Sequence, residues 1–161
     1  MCITPMNFKI ISQFSASLLL LFSMTIHATE LDRYLIQKNL IDQNYKIKDQ
    51  KNLDDILIAL SEEDSRVLPL QIDQNTLIEQ MHVYHDHINL QGIITSADFN
   101  QFANKVGKEK IHDLLIKGML ENCDLIFENE FQRQNPYYVK MKLVSDHKSY
   151  DLKIRNNQCK F

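Results

Sequence analysis

Two stretches in the last third of the chain alternate apolar and polar residues with period two, Tyr138-Val139-Lys140-Met141-Lys142-Leu143 and Tyr150-Asp151-Leu152-Lys153-Ile154-Arg155. Ser145-Asp146-His147-Lys148 lies between them, so the pattern predicts an antiparallel hairpin. Folding one run onto the other sets Leu143 opposite Tyr150, Met141 opposite Leu152 and Val139 opposite Ile154 on a dry face. The wet face then carries Lys142 opposite Asp151 and Lys140 opposite Lys153. A sheet with one dry face needs a cover.

Helical spacing supplies candidates for that cover. Leu31, Tyr34, Leu35 and Leu40 predict a short, peripheral helix within 29–44, and Asn52 is placed to cap a helix starting at Leu53. Leu53, Ile56, Leu57 and Leu60 would be its buried face, and Pro69 ends helix before it. From Thr76 to Leu90 the pattern turns to β-formers, as one long strand or two short ones. Thr95-Ser96 then opens a helical stretch toward Asn122, with Phe99, Phe102, Val106, Leu114, Leu115 and Met119 on a broad apolar face and Gly107 as a possible break. One further helical turn fits 124–131. The expected class is α+β: N-terminal helices, then strand, helix and hairpin on one antiparallel sheet, with a long helix covering one face.

The N-terminus changes the picture of where this domain works. Lys9 precedes an apolar run over 16–26, and Ala28 supplies a small residue before the polar Thr29-Glu30. The run is short and broken by Ser and Thr, so residues 1–28 read as a signal peptide cleaved near Ala28 rather than a membrane anchor. Met6 competes with Met1 as the start. The organisation expected is signal peptide 1–28, helical segment 29–67 and αβ domain 68–161. A lipoprotein would carry a cysteine directly after the apolar run, whereas Cys2 stands ahead of it, so no lipid anchor is expected. Of the three cysteines, Cys2 leaves with the signal, and Cys123 and Cys159 remain as an even pair for an oxidising compartment. A disulfide between them would stabilise the fold by roughly 4 kcal/mol in the chain-entropy model. It would pin the terminal strand to the end of the long helix, with a bulge or turn at Asn156-Asn157 letting the chain leave strict alternation.

Charge and composition exclude more than they assign. The chain has 18 basic and 21 acidic residues, and a net charge of −3 argues against general nucleic-acid binding. Three glycines, with no Trp, leave little material for phosphate-cradling loops or a nucleophile elbow. Ser96, Ser145 and Ser149 lack a GxSxG or Ser-x-x-Lys setting, and Glu62-Glu63-Asp64 are consecutive at a helix end rather than facing one another. No enzyme and no cofactor are expected. Three weaker features remain. His82, His85 and His87 form a cluster in which His85 and His87 would share a strand face roughly 7 Å apart, a spacing that two metal ligands can use. The row Lys140, Lys142, Lys153 and Arg155 suits an anionic partner, although lysines on a hairpin also guard against edge aggregation. Phe99 and Phe102 over a sheet face would offer a groove for a partner peptide or helix if they were not simply core.

One further pattern spans about 68–159: Leu68-Pro69 leading to Asp73 and Thr76, a strand, a helix ending in Cys123, a Tyr-containing strand pair and a final Cys159. This resembles the beta-type pilotins of type II secretion, including the interval between the cysteines. The resemblance implies a disulfide-bonded, non-enzymatic periplasmic module that binds another exported or envelope protein; in pilotins this is a secretin's terminal helix. Pilotins are lipoproteins, and here the sequence departs from them. The leading expectation is a periplasmic or secreted binding or chaperone-like module. A compact inhibitor or immunity-type protein is the alternative, and a small metal-binding protein on the histidine strand is the third reading.

Overall fold

The structure, a computed structural model, describes residues 28–146 and 148–161. The expected signal peptide, apart from Ala28, and the choice of start lie outside the described residues. Among the described residues six α-helices and five strands follow in the order α1 (Glu30–Gln37), α2 (Gln50–Asp64), β1 (Leu70–Gln71), β2 (Thr76–Val83), β3 (His87–Ile94), α3 (Ala97–Val106), α4 (Lys108–Glu121), α5 (Cys123–Ile126), α6 (Glu130–Gln134), β4 (Tyr138–Ser145) and β5 (Lys148–Arg155). The class is α+β, as the hydrophobic pattern requires.

The strands form one sheet in the order β1-β2-β3-β4-β5. It is mixed, not antiparallel throughout: β3 and β4 run parallel, from His87 beside Tyr138 to Ile93 beside Val144. The connection between them carries α3 to α6, and a helical crossover is what brings a chain back to pair in the same direction. The β4–β5 hairpin has the register read from the sequence, with Leu143 opposite Tyr150, Met141 opposite Leu152 and Val139 opposite Ile154. All six side chains are buried. The β2–β3 region is two strands, joined at Tyr84–Asp86, with a register irregularity between Ile78 and Gln80.

The helices part from the sequence reading in instructive ways. Asp49, not Asn52, caps α2: its carboxylate accepts the Asn52 N–H at 3.1 Å. The buried face of α2 is Leu53, Leu57 and Ser61, four residues apart each time, while Leu60 is exposed. Ser61 is buried because its hydroxyl donates to the Leu57 carbonyl at 2.8 Å and accepts the Val83 N–H at 2.9 Å. Gly107, with φ +90°, divides the long helix into α3 and α4. Each half turns its own face to the sheet: Ala103 is buried on α3, and Ile111 and Met119 on α4, whereas Phe102 and Leu114 are exposed.

The short helix α1 is not peripheral. Leu35 is fully buried and joins Leu53, Leu57 and the inward residues of all four long strands in one core. The segment 29–67 therefore shares its core with the sheet. Asp32 is also fully buried. Its carboxylate accepts the N–H groups of Glu130 at 2.8 Å and Phe131 at 3.2 Å, so α1 caps the start of α6 across the fold. The Thr29 hydroxyl lies 2.9 Å from the Asp32 carboxylate and 2.6 Å from the Asn129 side-chain oxygen, and its one proton serves one of them at a time. Between α4 and α6, Cys123 at the start of α5 is joined to Cys159, with Cα atoms 5.8 Å apart. The turn expected at Asn156–Asn157 is a 3₁₀ segment, Asn156–Gln158, leading straight into Cys159.

Candidate functional site

Because the inward positions of the sheet are taken up by the helices, its other face stays open to solvent. Lys140, Lys142, Lys153 and Arg155 are all exposed there. Their register partners are, in turn, Lys153, Asp151, Lys140 and Tyr138. Like charges directly opposite one another, as at Lys140 and Lys153, are unfavourable on a sheet. The Tyr138 ring offsets this, since the Lys153 ammonium lies 3.9 Å and the Lys140 ammonium 5.5 Å from its centroid. None of the four cations makes an ion pair among the described residues.

The aromatic support for this row continues into β3. His87 stacks between Tyr84, with ring centroids 4.6 Å apart, and Tyr138, at 5.0 Å. Its Nδ1 lies 2.5 Å from an Asp86 carboxylate oxygen. Partial burial pushes the Asp86 carboxyl up, but the His87 hydrogen bond and the neighbouring His87 and His85 imidazoles outweigh it and hold the carboxyl below its ordinary range. Behind the stack Tyr137 is buried, and its hydroxyl donates to the Tyr84 carbonyl at 2.7 Å. Burial pushes that phenol well above the ordinary tyrosine value.

The histidines are arranged differently from the strand reading. His85 lies in the β2–β3 turn, not on a strand with His87, so the two do not share a strand face. Its Nδ1 is 2.7 Å from Asp54 Oδ2 and its backbone N–H donates to Asp54 Oδ1 at 2.6 Å, which fastens the turn to α2. His82 is an exposed residue of β2. Among the described residues no group of three or more His, Cys, Asp or Glu side chains is placed to hold a metal ion. His85 and His87 each have an aspartate partner that explains their position without one.

Phe99 and Phe102 do not join the basic row. Phe99 packs edge-on against Tyr150 with centroids 5.8 Å apart, on the covered side of the sheet. Phe102 is exposed. The helix–sheet space beside Phe99 is therefore core at that point.

An open cleft of about 870 Å³, which pattern reading did not find, lies at the end of the sheet where β3 and β4 begin, between Lys46, His85, Asp86, Asn135, Tyr138, Arg155 and Asn156. Two of its amides, Asn135 and Asn156, are committed to holding loops. Asn135 donates to the carbonyls of Tyr45 and Phe131, and Asn156 to those of Gln132, Arg133 and Asn135. Lys46 donates to the Gln134 carbonyl. Arg155 is shared between this cleft and the basic row, so the two form one continuous surface. The Asn135-Pro136 dipeptide is the signal in the sequence that a turn is built here.

No family model matches the chain, and no curated protein matches it. A 1.60 Å crystal structure of a candidate secreted protein from Pseudomonas aeruginosa has a related outline, with a TM-score of 0.46 and 10% identity over 69% of this chain and 96% of that one. A likeness that distant leaves the role of this chain to its own residues, and it does not bear on the pilotin resemblance.

Proposed function

We propose that the protein is an exported, non-enzymatic binding module whose open sheet face receives an acidic segment of another envelope protein. One observation carries the reading: Lys140, Lys142, Lys153 and Arg155 stand in neighbouring register positions without an ion pair among the described residues, in a chain whose net charge is −3. Holding cations together costs free energy through their mutual repulsion, and an acidic ligand relieves it on arrival. Export is supported by the Cys123–Cys159 bridge, which suits an oxidising compartment, and by the signal-like pattern of the first 28 residues. The non-enzymatic part comes from the sequence, which offers no nucleophile motif and no facing carboxylates. The pilotin-like layout points the same way, toward a protein partner.

The test is a photo-crosslinking amino acid placed at Lys142 in the exporting cell. The expected result is a crosslink to one envelope protein that weakens as salt rises and disappears when Lys140, Lys153 and Arg155 are all changed to Glu. A crosslink that survives this charge reversal at full strength, or one obtained equally from Lys117 on α4, would remove the basic row from the function.

A further inference from the structure

The two long sides of the sheet are finished differently. On the β2 side, the Val83 N–H turns away from β3 and is taken by the Ser61 hydroxyl of α2. Farther along the same side, β1 pairs with Leu77 and Ile78. On the β5 side no such cover is present among the described residues. Ser145 and Lys148 close a two-residue turn, so they and every second pair beyond them (Leu143–Tyr150, Met141–Leu152 and Val139–Ile154) exchange the hydrogen bonds of the ladder. The N–H and C=O groups of Ser149, Asp151 and Lys153 then point outward, and they have no hydrogen-bond partner among the described residues. The outward N–H of Arg155 is taken by the Gln158 side chain at 2.7 Å, which marks where the open edge ends.

We propose that this edge is a docking site for an extended acidic segment of a partner protein, which joins the sheet as a sixth strand beside β5. The inference rests on the basic-face reading and specifies how the partner is held. Backbone hydrogen bonds to Ser149, Asp151 and Lys153 give the segment its affinity, and side chains on the open face give it selectivity. Carboxylates facing Lys153 and Arg155 are favoured, whereas one facing Asp151 is repelled, so the segment is acidic at two successive alternate positions and neutral at the third. The same charges disfavour a second copy of this chain. Lys148, Lys153 and Arg155 outnumber Asp151 on β5, so each edge carries a net positive charge and two such edges repel.

The probe is the peptide Glu-Val-Glu-Val-Thr-Val, added to the purified protein and followed by amide hydrogen exchange and by titration. Strand addition slows exchange at Ser149, Asp151 and Lys153 and leaves Tyr150 and Leu152 unchanged, because their N–H groups already bond to β4. Two N-methylated versions complete the test. Methylation on the Glu and Thr nitrogens abolishes binding if the strand adds antiparallel, and methylation on the Val nitrogens does so if it adds parallel; one of the two must weaken binding at least about tenfold. If both bind as well as the parent and no amide is protected, strand addition is wrong while the basic-face reading stands on its crosslinks. Failure of the parent peptide to protect those three amides even at millimolar concentration also overturns it. So does protection of the same amides without peptide in a protein that sediments as a dimer, since a second copy then occupies the edge.

Discussion

Replacing Asp32 by Ala puts the strongest strain on the account of the core given above. The carboxylate is fully buried and accepts two backbone N–H groups of α6, from Glu130 at 2.8 Å and Phe131 at 3.2 Å, besides the Thr29 hydroxyl. Alanine leaves those two donors without an acceptor. Each hydrogen bond to a charged acceptor is worth about 1.5–3 kcal/mol, so the loss of two should come to about 3–6 kcal/mol. An exposed helix cap, by contrast, costs only about 0.5–2 kcal/mol when removed. Since small domains are stable by about 5–15 kcal/mol, the variant should be folded but weakened. Urea unfolding followed by far-ultraviolet circular dichroism reads the effect as a lower midpoint at unchanged slope. Asp32→Asn keeps one acceptor oxygen and should fall between the two. A loss for Asp32→Ala below about 1 kcal/mol would mean that water satisfies the start of α6, and that α1 is a surface element after all.

Changing both Cys123 and Cys159 to Ala should lower unfolding stability by about 4 kcal/mol, measured by urea titration against the oxidised protein. Gly92→Ala would place a Cβ 2.5 Å from the Leu77 carbonyl oxygen, and the strand shift it forces should cost about 1–3 kcal/mol in the same assay. The Asp86 carboxyl is held below its reference value of 3.8, so its contribution is complete above that pH and is lost as pH falls through the lowered value; thermal melts across the acid range should show a flatter acid limb for Asp86→Asn. The Tyr137 phenol is shifted the other way, above its reference value of 10.0, so its contribution is complete below pH 10 and lost as pH rises beyond it. Alkaline titration with tyrosinate absorbance should show that phenol ionising together with unfolding.

How far the sequence could be read depended on whether structure was local. The β4–β5 register was legible because period two and the short segment Ser145–Lys148 between the runs leave one pairing that buries all three apolar pairs. The helix before it was legible only in part. Phe102 and Leu114 share an inward face with the rest only where the helix runs on through Gly107, which the sequence marks as a possible break; with φ +90° Gly107 resets the direction of the axis, so the apolar phase of α3 does not carry into α4. On α2, a hydrophobic scan chooses Leu60 and passes over Ser61, whose burial depends on a hydrogen bond to a strand 22 positions away. The histidines were misplaced for a related reason, since nothing near them says that Tyr84–Asp86 turns. The basic row was visible as alternating lysines. Its open edge was not, because an edge is defined by what fails to pair with it. Asp32 did leave a trace: Thr29 and Asp32 stand in the spacing of a capping box, although the partner that buries them is 98 positions away.

The unequal finish of the two sheet margins also bears on stoichiometry. A protein able to accept strands on both sides can be strung into a fibre, each copy templating the next. Here part of the β2 side is already taken, by β1 at Leu77 and Ile78 and by the Ser61 hydroxyl at Val83, whereas β5 presents three outward-facing residues along its margin. With the partner received at β5 as proposed, one partner per copy is the expected stoichiometry, and sedimentation of the purified complex checks it.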